Sequence, residues 1–199
     1  MNTPAHLLIG AAVVMATRGR RPDAAPQRLV WAAFIGSLLP DASLYILAGG
    51  ALFLFDIPPQ TVFNDLYFSA AWQQVFAIDN SFVLWGGLLG LALWWQKNWA
   101  IALTLGALLH LALDFPLHHD DGRPHFWPIS NWVFESPFSY WDRRQGANWI
   151  APVEAAACIA AAVFLWRKRL GLGIAVVVAA LLLAELNVTR TWLFVFQDS

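Results

Sequence analysis

Residues 98–115 read N-W-A-I-A-L-T-L-G-A-L-L-H-L-A-L-D-F. Almost all of this run is apolar, and its length suits a helix in lipid, where every backbone N–H and C=O must be satisfied within the segment itself. It nevertheless carries His110 and Asp114. An ionisable group inside a bilayer costs several kcal/mol unless it is paired, wetted or metal-bound. The two residues have i,i+4 spacing, which stacks them on one helix face about one turn apart.

Similar apolar runs lie on both sides, at 3–17, 29–50, 80–96, 149–166 and 171–195. The composition agrees with them: 59% of the 199 residues are apolar and 13% charged, against about 25% charged in an ordinary soluble domain. Mean hydropathy is +0.54. The 12 Trp and 14 Phe suit a chain with rings at the headgroup level. The expectation is an all-α polytopic membrane protein of about six transmembrane helices in one bundle. It forms a single domain over 1–199, with a polar outer loop at 116–148. The first run is short for a full span, so it is expected to tilt, thin the bilayer or enter it only in part. The Pro40-Asp41 pair is expected to interrupt the second helix. Segment 51–79 is mixed and aromatic, with Pro58-Pro59 as a stop and an interfacial helix expected near 60–76.

The first run also resembles a signal peptide, but its charge order is reversed. No Lys or Arg precedes Leu7 to Met15, and Arg18, Arg20 and Arg21 follow it. A retained helix is expected. With six spans, Arg18, Arg20, Arg21, Arg28, Lys97, Arg167, Lys168 and Arg169 share one side, which the positive-inside rule makes cytoplasmic. Both termini then point to the periplasm, if the membrane is a bacterial inner membrane. The bilayer is the expected partner. A net charge of −1 gives nucleic acid no support, the lone Cys158 excludes an internal disulfide, and nothing specifies an oligomeric state.

In that topology the buried ionisable groups converge in depth. His6 is at the outer end of the first helix, and Asp41 lies about 18 Å along the second at ~1.5 Å per residue. His110, Asp114, Glu154 and Glu185 also fall in the outer half. Chance would scatter them. Beyond Asp114 the chain continues as H-x3-D-x3-H-H-D-D-x3-H from His110 to His125, so four of the five histidines lie within these residues. Nitrogen and oxygen ligands without thiolates suit a divalent ion, with Zn²⁺ or Mn²⁺ first and Fe²⁺ behind them. Such an ion lowers the pKa of bound water to about 7 and makes a nucleophile. His118 and His119 extend the ligand set, and Asp120 or Glu154 is placed to act as general base. Each residue also has a plainer reading. His110 and Asp114 can be a hydrogen bond that holds helices together, His118 to Asp121 a solvated loop, and Asp41 a cap of a broken helix. His125 between Pro124 and Phe126 reads as structural, Glu185 as a partner of Arg190, and the rings of 126–141 as an aromatic belt.

The motifs Thr3-x-x-His6 with Gly10, Leu38 to Asp41 as L-L-P-D, and Gly106-x3-His110-x3-Asp114 with the later Trp127-Pro128 resemble the membrane-bound metal-dependent hydrolases related to YdjM. The resemblance covers roughly residues 3–130. It implies a membrane-embedded hydrolase with His6, Asp41, His110 and Asp114 as metal-site residues. Two positions depart from that family. Ser43 stands where a second acid follows the P-D, and Ala77-Ile78-Asp79-Asn80-Ser81 replaces an H-R-x-x-T-H-S element, keeping only the Ser. His118 and His119 are candidates to compensate. L-D-F-P-L-H-H-D-D (113–121) and F-E-S-P-x-S-Y-W-D (134–142) are also similar to a proteobacterial group whose members sometimes carry a cobalamin-biosynthesis (CobQ) label. No P-loop or nucleophilic Cys with His and acid accompanies them. The expected reaction is hydrolysis of a phosphoester or similar bond, with a lipid-linked or amphipathic substrate. The alternatives are a non-catalytic transporter subunit, proton relay or scaffold, and a family member that binds metal without hydrolysis.

Overall fold

A computed structural model describes residues 1–17 and 25–194, and among them there are helices, turns and loops but no strand. Seven longer helices run in order: α1 Thr3–Thr17, α2 Pro26–Phe53, α3 Ala70–Asp79, α4 Phe82–Trp94, α5 Asn98–Asp114, α6 Ala147–Arg167 and α7 Leu172–Phe194. Four stretches are long and apolar enough to cross a membrane: α2, α3 with α4 as Ala70–Trp94, α6, and Leu172–Thr191 of α7. The expected count of about six includes α1 and α5, which have 15 and 17 residues and fall short of that length. Large apolar side chains lie bare along these helices, among them Ile35, Ile46, Val153, Val176 and Leu183. That surface suits lipid and not water.

Helix α1 packs against α2, α5, α6 and α7, so it forms the axis of the assembly. Its neighbours approach closely because they offer small residues: Ala32, Ala33 and Gly36 on α2, Ala102, Gly106 and Ala107 on α5, and Ala151, Ala155, Cys158, Ala161 and Ala162 on α6 are all buried. Small residues suit close helix packing in lipid, where hydrophobicity does not favour one apolar contact over another and fit decides. The closest approach is between α2 and α5. A Cβ on Gly36 would overlap the Leu103 carbonyl, and one on Gly106 would come within 2.6 Å of the Ala33 carbonyl oxygen. The i±4 row Ala33–Ser37 therefore lies in the groove at Gly106.

Three local expectations are corrected. Pro40 does not interrupt the second helix, which runs unbroken from Pro26 to Phe53. A proline removes one helical N–H, and neighbouring groups can take up the released carbonyls. The carbonyl that Pro40 leaves without its helical partner is that of Gly36. Beside it, the Ser37 carbonyl accepts from His110 Nδ1 and the Pro40 carbonyl from Asn80 Nδ2 at 3.1 Å, which tie this part of α2 to its neighbours. The interfacial helix expected near 60–76 is instead a short turn at Pro59–Thr61, a π-turn at Val62–Leu66 and then α3. A break at Ser69 separates them, and its side chain caps α3 by accepting from Trp72 N at 3.4 Å. Likewise Ser81 caps α4, accepting from Leu84 N at 3.1 Å, so that helix starts at Phe82 and not at 80. Arg18, Arg20 and Arg21, which carry much of the charge bias, lie outside the described residues.

Candidate metal centre

Four elements deliver side chains to one point. His6 comes from the first turn of α1, Asp41 from the middle of α2, His110 and Asp114 from the last two turns of α5, and His118 from the loop just beyond. Nitrogen and carboxylate atoms of His6, His110 and Asp114 lie within 4.8 Å of one another, and all three residues are buried. The His6 and His110 rings are stacked, with centroids 3.8 Å apart. Asp114 is the hub. Its Oδ1 is 2.5 Å from the Met1 amino nitrogen and 2.9 Å from His6 Nε2. Its Oδ2 is 3.2 Å from His110 Nε2 and 3.4 Å from His118 Nε2.

The orientation of His110 is the most informative feature. Its Nδ1 donates to the Ser37 carbonyl at 2.8 Å, which leaves the Nε2 lone pair facing inward. That Nε2 is buried with no hydrogen-bond partner of its own, although Asp114 Oδ2 lies at 3.2 Å and Asp41 Oδ1 at 3.7 Å. A lone pair aimed at two carboxylates needs a positive charge between them, either a proton or a metal ion. Fixing a ligating His through its other ring nitrogen and a backbone carbonyl is the usual outer-shell arrangement of a metal site. The residues present therefore fit a divalent ion.

The other expected site residues divide. Asp41 lines the cavity beside Asp114. His118 also lines it and pairs through Nδ1 with Asp121 Oδ2 at 2.9 Å. Burial works against its charged form, but hydrogen bonds to Asp114 and Asp121 outweigh burial and raise its pKa to about 9. Burial likewise opposes ionisation of Asp121, and His118 outweighs it, holding the carboxyl below its ordinary value. His119 turns away: Nδ1 meets the Ser136 carbonyl at 2.6 Å, and Nε2 lies 3.9 Å from Glu135. Asp120 is exposed. Glu154 is buried but lies to one side, accepting from Asn2 N at 2.6 Å, and Asn2 Nδ2 reaches Glu185 at 3.3 Å. Glu185 takes its other bond from Thr189 at 3.4 Å, in place of the expected Arg190. The six groups expected at one depth thus form two neighbouring clusters joined at Met1–Asn2.

The loop after α5 folds over this centre. Ser136 N bonds the His118 carbonyl at 3.0 Å, Tyr140 N the Leu117 carbonyl at 3.1 Å, and Trp141 Nε1 reaches Asp121 at 3.2 Å. Sequence reasoning missed Tyr140, Tyr67 and Arg123 as cavity-lining residues. Arg123 alone had a signal, as a basic residue inside a His- and Asp-rich stretch. His125 is structural, as its sequence context suggests. It sits between Phe82 and Phe115, ring centroids 5.5 and 5.4 Å away, with Nδ1 bonded to the Arg123 carbonyl at 2.8 Å.

Burial lowers the His125 pKa to about 4. The folded chain therefore keeps His125 neutral where the unfolded chain takes a proton, and its contribution is full above pH ~6.5 and lost as pH falls toward ~4. At ~1.36 kcal/mol per unit this amounts to about 3 kcal/mol. The stability gap between wild type and His125→Gln is expected to narrow by roughly that much from pH 7 to pH 4 in thermal melts. A gap independent of pH would contradict the buried neutral ring.

No family model gives a significant match to the chain, nor does any curated protein or solved structure.

Proposed function

We propose that this chain is a multi-pass membrane hydrolase that uses a divalent metal, Zn²⁺ or Mn²⁺, held by His6, His110 and Asp114 with Asp41 beside them. The observation that carries the reading is His110 Nε2, buried and unpartnered, with its opposite nitrogen fixed on the Ser37 carbonyl. A divalent ion there supplies Lewis-acid activation of water, the chemistry of hydrolysis. The motif resemblance to the YdjM-related hydrolases points to the same residues. His118, placed between Asp114 and Asp121, is the nearest titratable group for moving a proton. His119, Asp120 and Glu154, whose carboxylate accepts from Asn2 N, have no part in this proposal.

The six-span topology belongs to the same proposal. Helices α1 and α5 measure about 22 and 25 Å at ~1.5 Å per residue, short of a hydrocarbon core of ~30 Å, so they cross with local thinning of the bilayer. Both termini then face the periplasm of a bacterial inner membrane, with Arg28, Lys97 and Arg167 to Arg169 in the cytoplasm. The centre lies at headgroup depth on the outer side, which favours a lipid-linked or amphipathic substrate.

Elemental analysis of the untagged protein in detergent tests the metal. Near-stoichiometric Zn or Mn is expected in wild type, with at least a tenfold reduction in His110→Ala/Asp114→Ala. A second reading, a proton relay without catalysis, draws on the buried Glu154–Asn2–Glu185 cluster, where Glu185 Oε2 has no partner. Wild type that stays metal-free after addition of Zn²⁺ and Mn²⁺ would shift the assignment to the relay.

A further inference from the structure

The centre opens into a cavity of about 150 Å³, lined among others by Asp41, Asp114, Asp121, Tyr67, Tyr140 and Arg123. The Met1 amino group and His118 also line it, but they are paired with Asp114 and Asp121, whereas Arg123, only 6% exposed, has no carboxylate partner among the described residues. Its guanidinium carbon lies 4.3 Å from the Phe76 ring centroid and 5.6 Å from that of Tyr67. Its Nη2 donates to the Tyr67 hydroxyl at 3.2 Å. Its Nη1 is buried and has no partner. Among the described residues, no ion pair includes Arg123. The ring contacts fix the guanidinium plane and leave part of its N–H edge idle. An idle buried guanidinium edge is costly, and an oxyanion would complete it.

We propose that Arg123 binds the phosphate of the substrate in this cavity, which makes the substrate a phosphoester. This assignment rests on the hydrolytic reading above and goes further, because it names the group that the site recognises. The planar fork of a guanidinium matches two phosphate oxygens at once, which an ammonium cannot do. The cavity has room for a phosphate-sized group. Leu44 and Tyr45 of α2 line one side of the cavity, and Tyr45 is 47% exposed. That apolar edge admits the chain of a lipid-borne phosphoester, and equally the body of a free one. Asp41, Asp114 and Asp121 repel an anion by themselves. Phosphate binding is therefore expected to strengthen when the metal is present, and by linkage the metal binds more tightly with phosphate.

The test uses the full chain in detergent with inorganic phosphate as the probe, titrated calorimetrically with and without Mn²⁺, and Mn content measured in parallel. Wild type is expected to bind phosphate. Arg123→Gln is expected to bind it at least tenfold more weakly, with Mn content unchanged when phosphate is absent. Should that variant fail to fold, Arg123→Lys decides. It keeps a positive charge over Phe76 but loses the fork, and at least threefold weaker phosphate binding is expected. Phosphate affinity equal to wild type in the folded Gln or Lys variant, or a wild type that binds no phosphate in either condition, overturns the assignment and leaves Arg123 as an anchor for α3. A wild type that binds phosphate through Arg123 but holds no metal upholds this site while removing the hydrolase. Competition then identifies the source. Displacement by short-chain phosphatidic acid but not by glycerol 3-phosphate places the phosphate on a lipid headgroup; displacement by both places it on a free phosphoester.

Discussion

Gly36→Ala is expected to destabilise the protein by about 3 kcal/mol or more, the upper range for overpacking, and to lower Tm by roughly 6–12 °C for a chain of this size. The added Cβ would overlap the Leu103 carbonyl. No side-chain rotation relieves an overlap with backbone, so α2 and α5 must separate. Their interface carries the site, because the Ser37 carbonyl next to Gly36 orients His110 and the Ser37 hydroxyl donates to the Gly106 carbonyl at 3.3 Å. Separation of these helices is expected to release metal as well. Cys158 is the only cysteine and is fully buried, so a thiol-reactive dye reads the transition directly. Gly87→Ala is the control: nothing lies within 4 Å of a Cβ there, and alanine gains about 1 kcal/mol of helix propensity. Equal melting of the two variants would refute the close approach.

That contact also marks the limit of what the sequence conveys. Apolar runs delimit helices well, because lipid permits few alternatives: 3–17 and 98–115 match α1 and α5 almost residue for residue. The meeting of the site residues was legible in part, since counting residues along antiparallel helices brings His6, Asp41, His110 and Asp114 to one end, where the structure groups them. What counting cannot supply is rotation about each helix axis. His110 meets the Ser37 carbonyl because Gly36 and Gly106 allow α2 and α5 into backbone contact, and a glycine in an apolar run does not announce which neighbour it admits. Glu154 has similar depth but a different rotation, and it turns to Asn2. The loop was the least legible part. His119 and Asp120 adjoin His118 in sequence, yet the Ser136 carbonyl captures His119 and Asp120 is left exposed. The F-E-S-P-x-S-Y-W-D stretch gains meaning only in three dimensions, where Ser136 and Ser139 bond backbone groups and bring Tyr140 beside His118, with ring centroids 5.3 Å apart.

Asp114→Asn is expected to abolish stabilisation by metal while keeping the shape of the side chain. Asp114 is the one acceptor shared by His6, His110 and His118. An amide there is neutral and a far weaker metal ligand, and the change removes the only carboxylate in the compact ligand group. Metal that binds only the folded state stabilises it by about 4 kcal/mol at 1,000 times Kd, or roughly 8–16 °C in this size range. Wild type is therefore expected to melt that much higher in saturating Zn²⁺ or Mn²⁺ than in chelator, and Asp114→Asn to melt alike in both. A structural lock behaves differently. Breaking a buried charge pair costs about 3–5 kcal/mol whether metal is present or not, so the wild-type curves in metal and in chelator would coincide and Asp114→Asn would lie below both. The chelator comparison separates the two cases before any substrate is known, because a metal centre stabilises through mass action and a helix lock does not.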